Sequence, residues 1–136
     1  MAIPRTIPAD HTHSGAKKTG MTVLIVDDSP QFRELIRSVL ADLVDEVHEC
    51  ADGDEAVVAY GAQRPDWVLM DLQMARIGGL EATRRLLAVD RTARVLIVTD
   101  YDDVHWRAAA IAAGACGYVL KENLLDVRRL MEPKDR

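Results

Sequence analysis

The sequence predicts an α/β domain built on a doubly wound, five-stranded parallel sheet. Three observations carry this. Strand-length runs recur at residues 22–26, 47–51, 67–70, 94–98 and 118–120, and helical patterns separate them. Five β-α alternations at such intervals imply parallel strands with right-handed crossovers and helices on both faces. Four of the runs also end on a reactive or charged side chain: Val26 leads to Asp27-Asp28, Met70 to Asp71, Val98 to Thr99 and Leu120 to Lys121. In a parallel sheet these ends share one edge, the edge where open α/β folds bind ligands.

The elements follow in order. Residues 1–20 are rich in Pro, Thr, Lys, Gly and His and lack a hydrophobic period, so they read as a flexible N-terminal tail, with the domain at 21–136. His11 and His13 in that tail have no further ligand nearby and read as solvated side chains. Residues 22–26 are continuously apolar or β-branched, as in a strand buried on both faces. Ser29-Pro30 is an N-cap followed by proline at the first helical position. Phe32, Leu35, Ile36, Val39, Leu40 and Leu43 then mark one face of the first helix. A short strand covers 47–51. Asp52-Gly53 is a turn, and a second helix runs over 54–63, ending before Pro65. After the strand that ends at Asp71, Gly78-Gly79 opens a third helix over about 80–89. Val104, Ala108, Ile111 and Ala115 mark a fourth helix, closed by Gly114 or Gly117. Trp106 lies off that face, where it reads either as a single exposed apolar residue or as an anchor for a partner. Leu124, Val127 and Met131 face inward from a short fifth helix.

A chain of 136 residues holds one domain of ordinary size, and 49% hydrophobic content supplies a core. A net charge of −5 argues against non-specific nucleic-acid binding, which depends on neutralising phosphates. Cys50 and Cys116 form no Cys-x-x-Cys pair and fit reduced cysteines. No apolar run approaches the roughly 18 residues of a membrane span, and the first residues lack a secretory signal. A cytoplasmic protein is predicted.

Asp71 is the centre of the predicted site. An ionised carboxylate at the end of a buried strand is costly unless paired. Asp27, Asp28 and Asp71 together would repel by roughly 4 kcal/mol per pair at about 4 Å and an effective dielectric near 20. Such a cluster protonates, separates or takes a cation. Oxygen ligands without His or Cys select a hard ion, Mg²⁺ in particular. Lys121 adds a point charge for an oxyanion and Thr99 a hydroxyl donor. Metal, lysine and hydroxyl describe a site for a phosphoryl group. Asp71 is the candidate nucleophile, since a carboxylate can form an aspartyl phosphate and the acidic pair is better placed for metal.

These residues resemble the receiver domain of two-component response regulators. The matching pieces are Val23-Leu24-Ile25-Val26-Asp27-Asp28-Ser29, Ala51-Asp52-Gly53-Asp54-Glu55-Ala56, Asp71-Leu72-Gln73-Met74 with Gly78-Gly79-Leu80, Ile97-Val98-Thr99, and Gly114 through Lys121. The resemblance covers about residues 21–131 and implies a (βα)5 flavodoxin-like fold. It implies that Asp71 accepts a phosphoryl group from a phosphohistidine on a sensor histidine kinase or histidine phosphotransfer protein. It further implies that Asp28, Asp71 and the Gln73 backbone carbonyl hold Mg²⁺, with Asp27 assisting, often through water. Thr99 and Lys121 contact the phosphoryl oxygens, and Tyr118 changes rotamer as Thr99 moves. The implied readout is the fourth helix, fifth strand and fifth helix, offered to a downstream protein target. A phosphorylation-dependent homodimer is compatible with this.

The implied protein is a switch and not a turnover enzyme; it catalyses only its own phosphotransfer and slow autodephosphorylation. The sequence shows no helix-turn-helix or catalytic module after the domain, so the expected form is a single-domain regulator acting through protein contact, or else a receiver cut from a larger protein. Two other readings are weaker. A non-phosphorylated interaction module would not need Asp28, Asp71, Thr99 and Lys121 together. A phosphatase of the haloacid-dehalogenase type carries Asp-x-Asp on the nucleophile strand, where this chain has Gln73, and its nucleophile is on the first strand. The chain also departs from the family pattern. Ala75 replaces a usual proline, Asp100 follows Thr99 where a small residue is usual, and Gln73 and Tyr101 stand where access of hydrolysing water is governed.

Overall fold

The structure, a computed structural model, describes residues 5–8 in their backbone and residues 20–133 in full. One sheet of six strands runs in the order β1-β3-β2-β4-β5-β6. The strands are β1 (Arg5–Pro8), β2 (Thr22–Val26), β3 (Glu46–Cys50), β4 (Trp67–Met70), β5 (Val95–Thr99) and β6 (Gly117–Leu120). Five of them, β2 to β6, are parallel, as predicted; β1 pairs antiparallel with β3 at the edge. The helices are α1 (Pro30–Leu40), α2 (Gly53–Gln63), α3 (Gly79–Val89), α4 (Val104–Ala112) and α5 (Leu124–Met131). Among the described residues no helix is long and apolar enough to cross a membrane.

Strands β2 to β6 place their side chains in two cores, one on each face of the sheet. Leu24, Val26, Val68, Met70, Val95 and Ile97 pack with Ala56, Tyr60, Ala82, Leu86 and Ala110 of α2, α3 and α4. Val23, Ile25, Val47, Leu69, Leu96 and Val98 pack with Ile36, Leu40, Val127 and Met131 of α1 and α5. The predicted caps form. Ser29 Oγ accepts the Phe32 N–H at 3.1 Å, and Asp52 Oδ1 accepts the Glu55 N–H at 3.0 Å. Cys50 and Cys116 are free, and burial, with the charges of Glu55 and Asp52, pushes the Cys50 thiol up to about 12, so it stays protonated.

Three expectations need correction. Arg5–Pro8, placed in a flexible tail, forms an edge strand. A four-residue stretch ending in proline carries little pattern, and an edge is where a sheet tolerates proline. The rest of the tail, including His11 and His13, lies outside the described residues. In α1, Leu35 is exposed and Ile36 and Leu40 carry the buried stripe. In α4 the faces are reversed. Val104 is 71% exposed and Ile111 53%, whereas Ala110 is fully buried and Trp106 packs on the core. Trp106 and Ala110 are four residues apart on one face, and α4 is apolar on nearly every side, so its pattern does not point to one face. Ala115, assigned to the same helix, is buried beyond its end. Gly114 provides that end with a φ of +105°, a conformation open to glycine.

Candidate functional site

The chain leaves β2 toward β3 on one side and returns to place β4 on the other, so the strand order switches between the carboxyl ends of β2 and β4. Doubly wound sheets bind ligands in that crevice. Asp27 follows β2 and Asp71 follows β4, and both are buried, at 2% and 6% exposure. The Asp71 N–H donates to the Val26 carbonyl at 2.9 Å, which fixes the two strand ends side by side. Asp28 is exposed. One carboxylate oxygen from each of Asp27, Asp28 and Asp71 lies within 4.8 Å of the others, so the predicted acidic cluster forms.

Lys121 reaches the cluster from the end of β6. Its Nζ is 2.8 Å from Asp27 Oδ2 and 3.7 Å from Asp71 Oδ1, and it lies 4.3 Å from the centre of the Phe32 ring. Burial acts to lower the Lys121 pKa, but the hydrogen bond it donates to Asp27 and the charges of Asp27, Asp71 and Asp100 outweigh it and hold the ammonium above its ordinary value. Asp71 is also raised, which for a carboxylate disfavours the charged form. Burial first, then the charge of Asp27 and that of Asp28, raise it to about 6 against the pull of Lys121. The nearer partner of Lys121 is thus Asp27, while Asp71 carries the strain of the cluster.

A pocket of about 610 Å³ opens over this cluster, lined by Asp28, Phe32, Asp71, Gln73, Tyr101 and Lys121 among others. Asp100 and Glu122 also line it, so its mouth is acidic. The structure therefore brings Asp28, Asp71, Gln73 and Lys121 to one cavity. Asp27 lies beneath it with both carboxylate oxygens engaged, Oδ2 by Lys121 and Oδ1 by the Ser29 N–H at 2.8 Å. Thr99 stands at the end of β5 but is completely buried, and its Oγ accepts the Tyr101 N–H at 3.2 Å. Tyr118 is buried on β6. Its hydroxyl donates to the Tyr101 carbonyl, and the Arg107 guanidinium covers its ring at 4.5 Å. Tyr101 thus links Thr99 to Tyr118 directly.

Two contributors escape a motif search. Phe32 lies under the Lys121 ammonium, and Arg33 donates to the Asp27 carbonyl. Gly79 has a local reason: a Cβ there would sit 2.0 Å from the Asp71 carbonyl oxygen. Gly79→Ala is expected to destabilise by about 1–3 kcal/mol through overpacking and to shift the Asp71 backbone. Urea unfolding checks this, and wild-type stability would refute the close approach.

The cluster is all oxygen, carries more negative than positive charge and opens to solvent through Asp28. That donor set fits a hard divalent cation. Comparison with known proteins agrees with this geometry. The model of the response regulator receiver domain matches residues 23–132. The chain is 35% identical over 112 residues to the transcriptional regulatory protein DegU of Brevibacillus brevis, covering 81% of this chain and 47% of that protein. It is 36% identical over 99 residues to the chemotaxis protein CheY of Halobacterium salinarum, covering 73% and 82%. Among solved structures, a two-component response regulator of the LuxR family from Aurantimonas sp. SI85-9A1 superposes with a TM-score of 0.76 at 34% identity, covering 82% of this chain and 81% of that one. The chain spans about half the length of the first curated relatives it matches. With the family model matching residues 23–132, this chain belongs to the response regulator receiver domain family.

Proposed function

We propose that this protein is a cytoplasmic signalling switch of a two-component phosphorelay, in which Asp71 accepts a phosphoryl group in a Mg²⁺-dependent step. The observation that carries the reading is the convergence of Asp27, Asp28 and Asp71 within 4.8 Å, with Lys121 inserted among them, at the switch point of the sheet. Asp28, Asp71 and the Gln73 backbone carbonyl would hold the ion, with Asp27 acting at one remove because both its oxygens are taken. The bound ion would supply charge neutralisation for the incoming phosphoryl oxygens. The donor is a phosphohistidine of a sensor kinase or phosphotransfer protein. An Asp71 carboxylate oxygen bonds to phosphorus as the phosphorus–nitrogen bond breaks and the donor's imidazole leaves, while the Lys121 ammonium binds a phosphoryl oxygen.

Buried Thr99 must turn toward the pocket to reach the phosphoryl group, which breaks its contact with the Tyr101 N–H. Because the Tyr101 carbonyl holds the Tyr118 hydroxyl, that movement reaches the α4-β6-α5 surface offered to a protein target. The protein acts stoichiometrically, with slow loss of its own phosphoryl group and no separate substrate to turn over. Gln73 and Tyr101, both in the pocket lining, control access of water to Asp71. Intact-mass analysis after incubation with Mg²⁺ and a small phosphoryl donor tests the proposal. Wild type is expected to gain one phosphoryl group, and Asp71→Ala or chelated protein none. An equal gain in Asp71→Ala would refute the assignment.

A further inference from the structure

We propose that Arg33 is a positioning residue for the Asp27-Asp28 pair, holding the end of β2 in the geometry that takes a divalent cation; this rests on the site reading above. Arg33 lies in the first turn of α1, where the helix dipole favours anions, and no acidic residue in that turn offsets it. A residue that opposes a local preference is commonly kept for another purpose. Its contacts show that purpose. Arg33 Nε donates to Glu49 Oε1 at 2.8 Å, and a second guanidinium N–H donates to the Asp27 carbonyl. Glu49 is buried on β3, at 7% exposure, and its other oxygen accepts from Arg37 at 3.2 Å. A buried carboxylate therefore orients a guanidinium whose free edge lies on the backbone of the acidic pair.

The consequence is that every oxygen of Asp27 is held: the carbonyl by Arg33, Oδ1 by the Ser29 N–H and Oδ2 by Lys121. The Asp27 N–H donates in turn to the Cys50 carbonyl at 3.1 Å. Arg33 completes a strut between β3 and the end of β2, at the residue that precedes exposed Asp28. Two fixed donors in one plane suit this task, and the point charge of a lysine does not reproduce them.

The test measures Mg²⁺ affinity by calorimetry for wild type, Arg33→Lys, Arg33→Met and Glu49→Gln, with thermal midpoints and Ser29 amide exchange in the metal-free proteins. Both Arg33 variants are expected to bind Mg²⁺ about tenfold more weakly, the usual effect of losing an outer partner. Their Ser29 amide is expected to exchange faster. Removing a cation near the cluster acts by charge alone to strengthen Mg²⁺ binding. Tighter binding by Arg33→Met, or wild-type affinity in Arg33→Lys, overturns the proposal. Should Arg33→Met fail to fold, Arg33→Lys and Glu49→Gln decide it, and Glu49→Gln is expected to weaken binding as well. Unchanged Mg²⁺ affinity in a variant with a lowered thermal midpoint assigns Arg33 to stability alone and overturns it too. A wild type that neither binds Mg²⁺ nor accepts phosphoryl overturns the site reading together with this inference, whereas a functional wild type beside unaltered variants overturns this inference alone.

Discussion

Asp71→Asn is expected to stabilise the metal-free protein at pH 7 and to flatten its stability between pH 4 and 7. The native Asp71 carboxyl titrates at about 6 instead of the ordinary 3.8, because burial and then the charges of Asp27 and Asp28 disfavour its ionised form. A carboxyl raised by folding binds more protons in the native state than in the unfolded state. Its cost is absent below about 3.8, grows as pH rises through this window and is complete above about 6. The full shift corresponds to ~3 kcal/mol, and solvent entering through the pocket mouth reduces it to about 1–2 kcal/mol. Asparagine keeps the shape without the charge. Urea unfolding at pH 5 and pH 7.5 checks this: wild type is expected to lose stability between the two and Asp71→Asn to lose less. With saturating Mg²⁺ the ranking narrows or reverses, since the ion stabilises the native carboxylates of wild type more. A less stable Asp71→Asn at pH 7.5 without metal would show that the cluster is not under charge strain.

Lys121→Met is expected to lower metal-free stability by about 3 kcal/mol, as removal of one partner of a buried ion pair does. The loss falls on Asp27, whose carboxylate is 2.8 Å from the ammonium and otherwise holds one backbone N–H. The same change is expected to tighten Mg²⁺ binding by about tenfold or more, because the ammonium and the dication draw on the same carboxylates. Phosphoryl acceptance is expected to fall regardless, since the charge that meets the incoming oxygens is gone. Unfolding, calorimetry and a phosphorylation time course give three readouts. Tighter metal binding with slower phosphorylation separates the role of Lys121 from mere structural support; weaker binding of the ion would contradict the competition.

Much of this site is visible in the chain. Asp27, Asp28, Asp71 and Lys121 can be placed from sequence because each follows a short apolar run, and parallel strands of similar length bring their ends to one edge. The five parallel strands and five helices follow from the same alternation. What escapes is set by packing. Thr99 also ends a strand, yet the sequence does not tell that its side chain is buried against Tyr101 N–H instead of facing the pocket. Arg33 is one of several charged residues in α1 until β3 places Glu49 opposite it. The inward side of α4 is hidden because alanine, valine and isoleucine occupy most of its circumference, so burial is decided by the neighbours that Trp106 and Ala110 meet. The edge strand Arg5–Pro8 depends on β3 for its pairing and has no apolar pattern of its own.

Locating the acquired group settles the matter most directly. The full chain is incubated with Mg²⁺ and a phosphoryl donor, reduced with borohydride and digested. An aspartyl phosphate, unlike a free carboxylate, is reduced to homoserine, and tandem mass spectrometry finds the converted position. Homoserine at Asp71, dependent on both donor and Mg²⁺, is the predicted result. Conversion at another acidic residue, or none anywhere in a folded protein exposed to both, would contradict the assignment of Asp71 as the phosphoryl acceptor.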